Sequence, residues 1–552
     1  MASLSVMVAI SSPAFGGPIA SFGWFDYRGT DRATPQSPIG PDHYRNPILN
    51  GFYPDPSLLR VGGDFYLVTS TFGYFPGLPV FHSRDLIHWS QIGNAIDRPG
   101  QLDFRGIGLS EGVFAPSLAY HAGLFYLVNT CVNCGGNYVI TARNPAGPWS
   151  DPVWIKDVGG IDPSLYIAPD GKAWLLNNDA PEGGSRYDGH RAIWIRRFDL
   201  ATLKTSGAAT MIVDGGVDIA TKPIWVEGPK LFTHDGRYYL IAAEGGTAMG
   251  HSETVYRADR PEGPWTAFPK PILTQRDLDP GRPDPVTSAG HATIVDTPSG
   301  EWWSSFLAVR PYRGDEYNTG RETFLLPVRW VDGWPIITAP GQAIPSVIRR
   351  PALPATPPPP VPTSGDFTVH DDFTGSRLPL DWMTIRIPSD RWWRLADGAL
   401  QIAARPDAIG TRGQPSALLR RQQHPYATAS TIVRFAAPVE GSRAGLVAYQ
   451  NEEHYYFVGI VNRGGRRMVE VDRRADASDP RDGVVIASAP APATGSVRLR
   501  IVARGDAYDF AFADEKGRWM PLVTGADGGV LSTKRAGGFV GASFGLYAYS
   551  PR

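Results

Sequence analysis

The chain has 552 residues, with 53 Lys+Arg against 54 Asp+Glu and a formal net charge of -1. That length suggests roughly two to four domains with room for real cores. The charge balance leaves no basic stripe, so nucleic acid and an anionic membrane surface gain no electrostatic support as partners. Aromatic residues make up 11% of the chain, with 62 Gly and 51 Pro. Short aromatic strands joined by Gly/Pro turns give this composition; long helices do not, because both residues oppose them.

No charged side chain precedes Asp26, and residues 4–10 are mostly small and apolar, followed by Ser-Ser-Pro-Ala-Phe-Gly-Gly. The stretch has the look of the end of a secretory signal, although the basic n-region is missing. Residues 1–44 therefore read as an N-terminal segment carrying a signal remnant. The expected location is periplasmic or secreted, with the cytoplasm as the alternative. The stretch is too short to cross a bilayer, and no other candidate span is seen.

Five segments then repeat one plan: a short strand, a tight Gly turn and an aromatic strand. They run from Asp55-Pro-Ser-Leu to Asp64-Phe-Tyr-Leu-Val, and from Ala115-Pro-Ser-Leu to Leu124-Phe-Tyr-Leu-Val. The third runs from Asp162-Pro-Ser-Leu to Lys172-Ala-Trp-Leu-Leu, and the fourth from Gly228-Pro-Lys-Leu to Arg237-Tyr-Tyr-Leu-Ile. The last runs from His291-Ala-Thr-Ile to Glu301-Trp-Trp. Each turn carries Gly, which supplies positive φ. The repeats start about 45–65 residues apart, the spacing of propeller blades. Residues 45–350 are thus expected to form a five-bladed β-propeller. Radial packing then points Asp55, Ala115, Asp162, Glu227 and His291 into one central depression.

Within the second repeat lie the only cysteines, Cys131 and Cys134. A lone C-x-x-C is half a zinc ribbon. Two buried thiols are the first expectation, and a local disulfide in an oxidising compartment the second.

Residues 351–365, PALPATPPPPVPTSG, read as a semi-rigid extended linker. Beyond it, 366–552 carries short alternating runs such as Ala429-Ser-Thr-Ile-Val-Arg-Phe and Ser496-Val-Arg-Leu-Arg-Ile-Val, the pattern of a β-sandwich. The fold class is therefore all-β, a propeller followed by a sandwich.

Paired carboxyl groups across a sugar bond are what glycoside hydrolysis needs: one protonates the leaving oxygen, the other activates water or attacks carbon. Asp55, flanked by two prolines that stiffen it, and Glu227, in Trp225-Val-Glu-Gly-Pro, sit on the first and fourth repeats. An apolar setting and a nearby Asp162 would both raise the pKa of Glu227. Taken singly, each Asp-Pro is an ordinary turn opener. Register matching across repeats is what lifts the set above that.

The ordered series Asn46-Pro-Ile-Leu-Asn-Gly-Phe-Tyr-Pro-Asp-Pro-Ser, Ser70-Thr-Phe-Gly-Tyr-Phe-Pro, Gly160-Ile-Asp-Pro-Ser-Leu, Val226-Glu-Gly-Pro-Lys-Leu, Ala243-Glu-Gly-Gly-Thr, Ala289-Gly-His-Ala and Gly320-Arg-Glu-Thr resembles glycoside hydrolase family 43. The likeness covers about residues 45–340 and most of 366–552. The second part is similar to the concanavalin-like jelly roll of the xylosidase branch, with Arg420-Arg-Gln-Gln-His and Tyr449 as markers.

The resemblance implies an exo-acting, inverting hydrolase that releases xylose or arabinose from xylan-derived oligosaccharides, with α-L-arabinofuranosidase as the alternative main activity. A non-catalytic carbohydrate-binding propeller is the rival of another class. By motif, Asp55 is the general base, Glu227 the general acid, and Asp162 the residue that modulates and orients the acid. Substrate contacts fall to Arg310, Phe72, Phe114, His291 and, from the second domain, Phe539. Phe114 stands where the family usually has Trp, Gly73 where many xylosidases have Glu, and residues 178–191 form a long polar insertion expected at the pocket rim. No cofactor is required; calcium near His291 is the alternative to a hydrogen-bonded core histidine. The partner is an oligosaccharide, and a homo-oligomer is compatible with the sequence.

Overall fold

The computed structural model describes residues 17–34, 37–493 and 495–551. The signal-like residues 4–10 therefore lie outside the described residues. Among the described residues the regular elements are almost all strands, with two short 3-10 turns and one four-residue helix at Thr533–Ala536.

Five antiparallel sheets follow one another in chain order. Blade 1 holds Ser57–Val61, Asp64–Val68, Gly77–Ser83 and Ser90–Ile96. Blade 2 holds Ser117–His121, Leu124–Val132, Gly136–Ala142 and Val153–Trp154. Blade 3 holds Ile161–Ile167, Ala173–Asp179, Ala192–Asp199 and Lys204–Asp214. Blade 4 begins with Glu227–His234 and Arg237–Glu244, and blade 5 with Thr287–Asp296 and Trp302–Val309. All five predicted hairpins are present. At the fourth, Asp235 (φ 46) and Gly236 (φ 74) both take the left-handed conformation, as a tight type I′ turn requires. A Cβ on Gly236 would meet nothing, so the backbone angle and not crowding selects glycine there. The ring is closed by pairing His43–Arg45 with Val347–Arg349.

The remaining strands form two eight-stranded sheets packed as a sandwich. One runs through Trp393–Ala396, Ala399–Ala403, Ile19–Thr30, Tyr426–Arg434, Ser496–Arg504, Ala507–Ala513 and Trp519–Asp527. The described part of residues 1–44 is thus not a segment apart from the domains. Ile19–Thr30 is an interior strand of the sandwich, paired with Tyr426–Arg434, Ala399–Ala403 and Phe367–Asp371. Its alternation buries Ala20, Phe22, Phe25 and Tyr27, with a register shift between Phe22 and Trp24 that resets the period.

The second sheet ends in Met383–Ile385, which pairs with Tyr74–Phe75 of the propeller. The two domains therefore share a sheet. The Pro-rich segment lies against the propeller instead of spanning free space: Asn50 donates to the Thr363 carbonyl at 2.8 Å, and Thr356 Oγ1 to Asp85 at 2.8 Å. Cys131 and Cys134 are joined in a disulfide, their Cα atoms 5.1 Å apart. The expectation of two buried thiols is corrected: Cys131 is the penultimate residue of its strand and Cys134 lies in the turn that follows, which brings them within bridging distance.

If the N-terminal strand is part of the sandwich core, Phe22→Ala should cost about 3–5 kcal/mol. For a domain of this size that is a fall in Tm of roughly 6–20 °C. An unchanged melting profile by calorimetry would show the strand to be dispensable.

Candidate active site

The inner strands do not begin as regular ladders. In blade 3 the register shifts between Ile161 and Ser164, in blade 4 between Glu227 and Lys230, and in blade 5 between Gly290 and Thr293. Each bulge holds a left-handed residue: Asp162 (φ 55), Gly228 (φ 59) and His291 (φ 54). Asp55 takes the same angle (φ 55) just before its strand in blade 1. A bulge breaks pairing and re-aims a side chain. Asp and His tolerate the left-handed well better than most residues. In blade 4 that place goes to Gly228, whose Cβ would sit 2.7 Å from His291 Nε2, so the carboxylate comes one residue earlier.

These side chains meet. A cavity of about 420 Å³ is lined by Asp55, Ala115, Asp162, Glu227 and His291, all five predicted inner-strand residues. The volume suits one or two sugar rings, within the range of small-molecule sites. Asp55 is 5% and Glu227 8% exposed, so both carboxyls are largely cut off from bulk water.

Their environments differ. Burial raises the pKa of Asp55, but Arg321, whose Nη1 lies 3.2 Å from Oδ1, His291 and the Ser70 hydroxyl outweigh it and hold the group below its ordinary value. Burial and the charges of Asp162 and Asp55 push Glu227 well above the usual carboxyl range. Asp162 is raised to about 7, first by burial and then by Asp55. Asp162 Oδ2 accepts the Gly228 N–H at 3.1 Å, which ties it to the backbone beside Glu227. His291 Nδ1 lies 3.7 Å from Asp55, and burial brings His291 down to about 3, so its ring is neutral. At moderately acid pH the cavity thus holds one ionised carboxylate and protonated partners, and Asp162 begins to ionise towards neutral pH.

The aromatic wall is as expected. Phe72 and Phe114 cross edge to face at 5.1 Å, and Phe539 stacks on Phe72 at 5.5 Å and 21°. Phe539 is carried by the sandwich and anchored by its N–H to Ser110 Oγ at 2.9 Å. The second domain therefore supplies part of the cavity wall.

Arg310 is a correction. It does not line the cavity; it bridges Glu322 at 2.6 Å and Asp31 at 2.7 Å, both buried. Its partners' fixed charges leave no free donor fork for a sugar, and its work is to tie the chain after the N-terminal strand to blade 5. The arginine in the cavity is Arg321, in the Gly320-Arg-Glu-Thr motif quoted above without a role. Its guanidinium lies 5.4 Å from the Phe539 ring and 5.7 Å from Phe72. A signal was present: Arg321 follows a glycine in an otherwise strand-forming run, next to the buried Glu322.

The insertion 178–191 does not reach the cavity but braces the segment that does. Trp225 N–H donates to the Gly189 carbonyl at 2.8 Å, and Tyr187 Oη to that of Pro223 at 2.7 Å. Gly73 also stands back from the cavity; its N–H donates to Leu109 and its carbonyl accepts from Arg386 of the sandwich. Around His291, the buried atoms without a protein partner are His291 Nε2, His251 Nε2 and Glu253 Oε1. Calcium prefers six to eight oxygens. This donor set does not fit it, and among the described residues no three His, Cys, Asp or Glu side chains are grouped to hold a metal.

A buried, unequal set of carboxyls on a propeller axis, walled by aromatic rings, defines a glycosidase. The chain belongs to glycosyl hydrolases family 43, which it matches over residues 44–335. Residues 370–552 match the β-xylosidase C-terminal concanavalin A-like domain. A xylosidase/arabinosidase of Butyrivibrio fibrisolvens is 36% identical over 92% of this chain and 95% of its own length. A non-reducing end α-L-arabinofuranosidase of Bacteroides ovatus is 38% identical over 92% and 91%. Among solved structures, a family 43 protein from a capybara gut metagenome superposes with a TM-score of 0.89 at 37% identity, covering 96% of this chain and all of that one.

The two arginines should separate cleanly. Arg321→Met should lower kcat/KM on a nitrophenyl pentoside by about 100-fold or more. It should also move the acidic limb of the pH profile upward, because Asp55 loses the charge that keeps it ionised. Arg310→Met should instead cost about 3–5 kcal/mol of stability, since it strands two buried carboxylates, with kcat/KM at low temperature near that of the wild type.

Proposed function

We propose that this chain is an exo-acting, inverting glycoside hydrolase that removes single xylose or arabinose units from the non-reducing ends or side chains of xylan-derived oligosaccharides. The observation that carries the reading is the opposite polarisation of two buried carboxyls in one cavity. Asp55 is held ionised by Arg321, and Glu227 is held protonated by burial and by Asp162. An inverting reaction asks for that division: a base that takes a proton from water and an acid that gives one to the leaving oxygen.

In the proposed sequence, the glycon sits among Phe72, Phe114, Phe539 and Arg321. Asp55 deprotonates a water molecule as it attacks the anomeric carbon. Glu227 protonates the glycosidic oxygen as the bond to it breaks. Asp162 fixes the backbone beside Glu227 through the Gly228 N–H and keeps the acid's proton on by its own negative charge when ionised. The relatives' names span both xylosidase and arabinofuranosidase. The 38% identity to an α-L-arabinofuranosidase keeps that sugar as the second reading of the glycon. Export is part of the proposal, supported by the Cys131–Cys134 disulfide, which persists best in an oxidising compartment.

Three measurements bear on the mechanism. Proton NMR of the first product formed from a β-xyloside should show α-xylose ahead of mutarotation; first-formed β-xylose would mean a covalent route and sink the inverting assignment. Asp55→Ala should lose about 10³-fold or more in kcat with folding intact. Glu227→Ala should lose far more on xylobiose than on a substrate whose leaving group needs no proton.

The pH profile follows from the same shifts. Asp55 must be ionised, and its pKa is depressed, so activity should persist below the usual aspartate range. Glu227 must be protonated, and its pKa is raised, so activity should persist above the usual glutamate range. The result is a broad bell, whose basic limb should vanish in Glu227→Ala assayed on an activated leaving group.

A further inference from the structure

The cavity has two unlike sides. Arg321 and the rings of Phe72, Phe114 and Phe539 close one side. On the other, between blades 3 and 4, the wall is Ile224, Trp225 and the small-residue strip from Gly245 to Ala248. Ile224 is 41% exposed, an unusual state for an isoleucine beside a buried acid. Trp225 is half-buried and holds φ 53, a left-handed angle that a bulky side chain adopts only under restraint.

The restraint is visible. Trp225 N–H donates to the Gly189 carbonyl at 2.8 Å, and the Ile224 carbonyl accepts from Gly245 at 2.9 Å. Gly189 has φ +77, and a Cβ there would come within 2.9 Å of Ile224 Cβ, so the insertion lies flush against the wall. Arg191, the last residue of the insertion, covers one face of Trp225 at 4.2 Å from the ring centroid. Behind it, His190 Nε2 meets Asp214 at 2.9 Å and stacks on Tyr187 at 4.6 Å. A network this extensive, set behind an indole that still lines the cavity, holds that indole in place.

Position relative to the acid says what the indole is for. Glu227 is two residues on from Trp225, and a general acid adjoins the leaving group, not the glycon. The sugar on the far side of the scissile bond must therefore lie on the Glu227 side of the cavity.

We propose that Ile224 and Trp225 form the leaving-group subsite, taking the second pyranose ring of a xylan-derived oligosaccharide against the indole face that Arg191 leaves free. The assignment rests on the hydrolase reading above. An aromatic face offers a flat apolar platform to the C–H surface of a pyranose, and the strip at Gly245–Gly246 leaves room beside it. The polar insertion 178–191 acts at one remove, as the brace of this subsite.

The test compares two substrates on the full chain. One is an oligosaccharide of the glycon that the wild type prefers, xylobiose or an arabinofuranosyl-xylobiose. The other is the matching pentosyl fluoride, whose leaving group is a single atom and reaches no second subsite. For Trp225→Ala and Ile224→Ala, the ratio of kcat/KM on the oligosaccharide to that on the fluoride should fall by about 10- to 100-fold. The fall should lie mainly in KM, and Trp225→Phe should restore most of it. An unchanged ratio, whether both rates drop together or neither drops, overturns the subsite: the first outcome makes Trp225 a prop for Glu227, the second a bystander. Should Trp225→Ala fail to fold, Ile224→Ala, at an exposed position, still decides. A wild type inactive on both substrates would overturn the hydrolase reading itself, and the subsite with it.

Discussion

Three carboxyl groups buried in one cavity cannot all be ionised, and the chemistry follows from how the protein divides the charge. Like charges at short range in a dry setting cost far more than they do in water. The cavity contains one guanidinium, Arg321, and it is committed to Asp55. Lys230, whose Nζ donates to the Pro116 carbonyl, adds positive charge beneath, although burial lowers it to about 8. Asp55 therefore keeps its charge, and Glu227 and Asp162 share what remains, titrating as a coupled set. Remove the arginine and the division between base and acid dissolves, though every carboxyl is still present.

The fold delivers this set through a repeated irregularity. A regular β ladder would send successive side chains to opposite faces of each blade. In blades 3, 4 and 5 a bulge at the head of the inner strand re-aims one residue instead, and in blade 1 Asp55 takes the same left-handed angle just before its strand. Because the device is in the backbone, each blade can carry a different side chain at the same place: Asp in blades 1 and 3, a Gly-preceded-by-Glu in blade 4, His in blade 5. The sandwich completes the wall with Phe539, fixed through Ser110, and the shared sheet at Tyr74–Phe75 holds the two domains in register.

Much of this was legible in the residues. The hairpin repeat placed all five blades, and the aligned heads of the inner strands named Asp55, Asp162, Glu227 and His291. Long-range pairing was not legible. Ile19–Thr30 finds its partners some 340 to 400 residues later, and no local pattern reports that. Its alternation is interrupted by the register shift between Phe22 and Trp24, which hides the strand period. The two arginines were exchanged for a related reason. Arg310 follows one strand of blade 5 and Arg321 precedes the next, and only the tertiary partners, Asp31 and Glu322 for one and Asp55 for the other, tell them apart. The insertion 178–191 was placed at the rim by its polarity, whereas its contacts are one layer behind.

The N-terminal strand has a consequence for biosynthesis. It leaves the ribosome well ahead of its partners: Tyr27 meets His424, 397 residues further along, through the bond from its hydroxyl. At about 5–20 residues per second, Phe22 and Phe25 wait roughly 20–80 s without the sheet that covers them. The propeller can close during that interval, because both halves of its latch, His43–Arg45 and Val347–Arg349, are already made. The sandwich cannot. Nascent chains of this enzyme therefore carry an uncovered apolar strand through most of translation, and they are the stage at which a chaperone has something to hold.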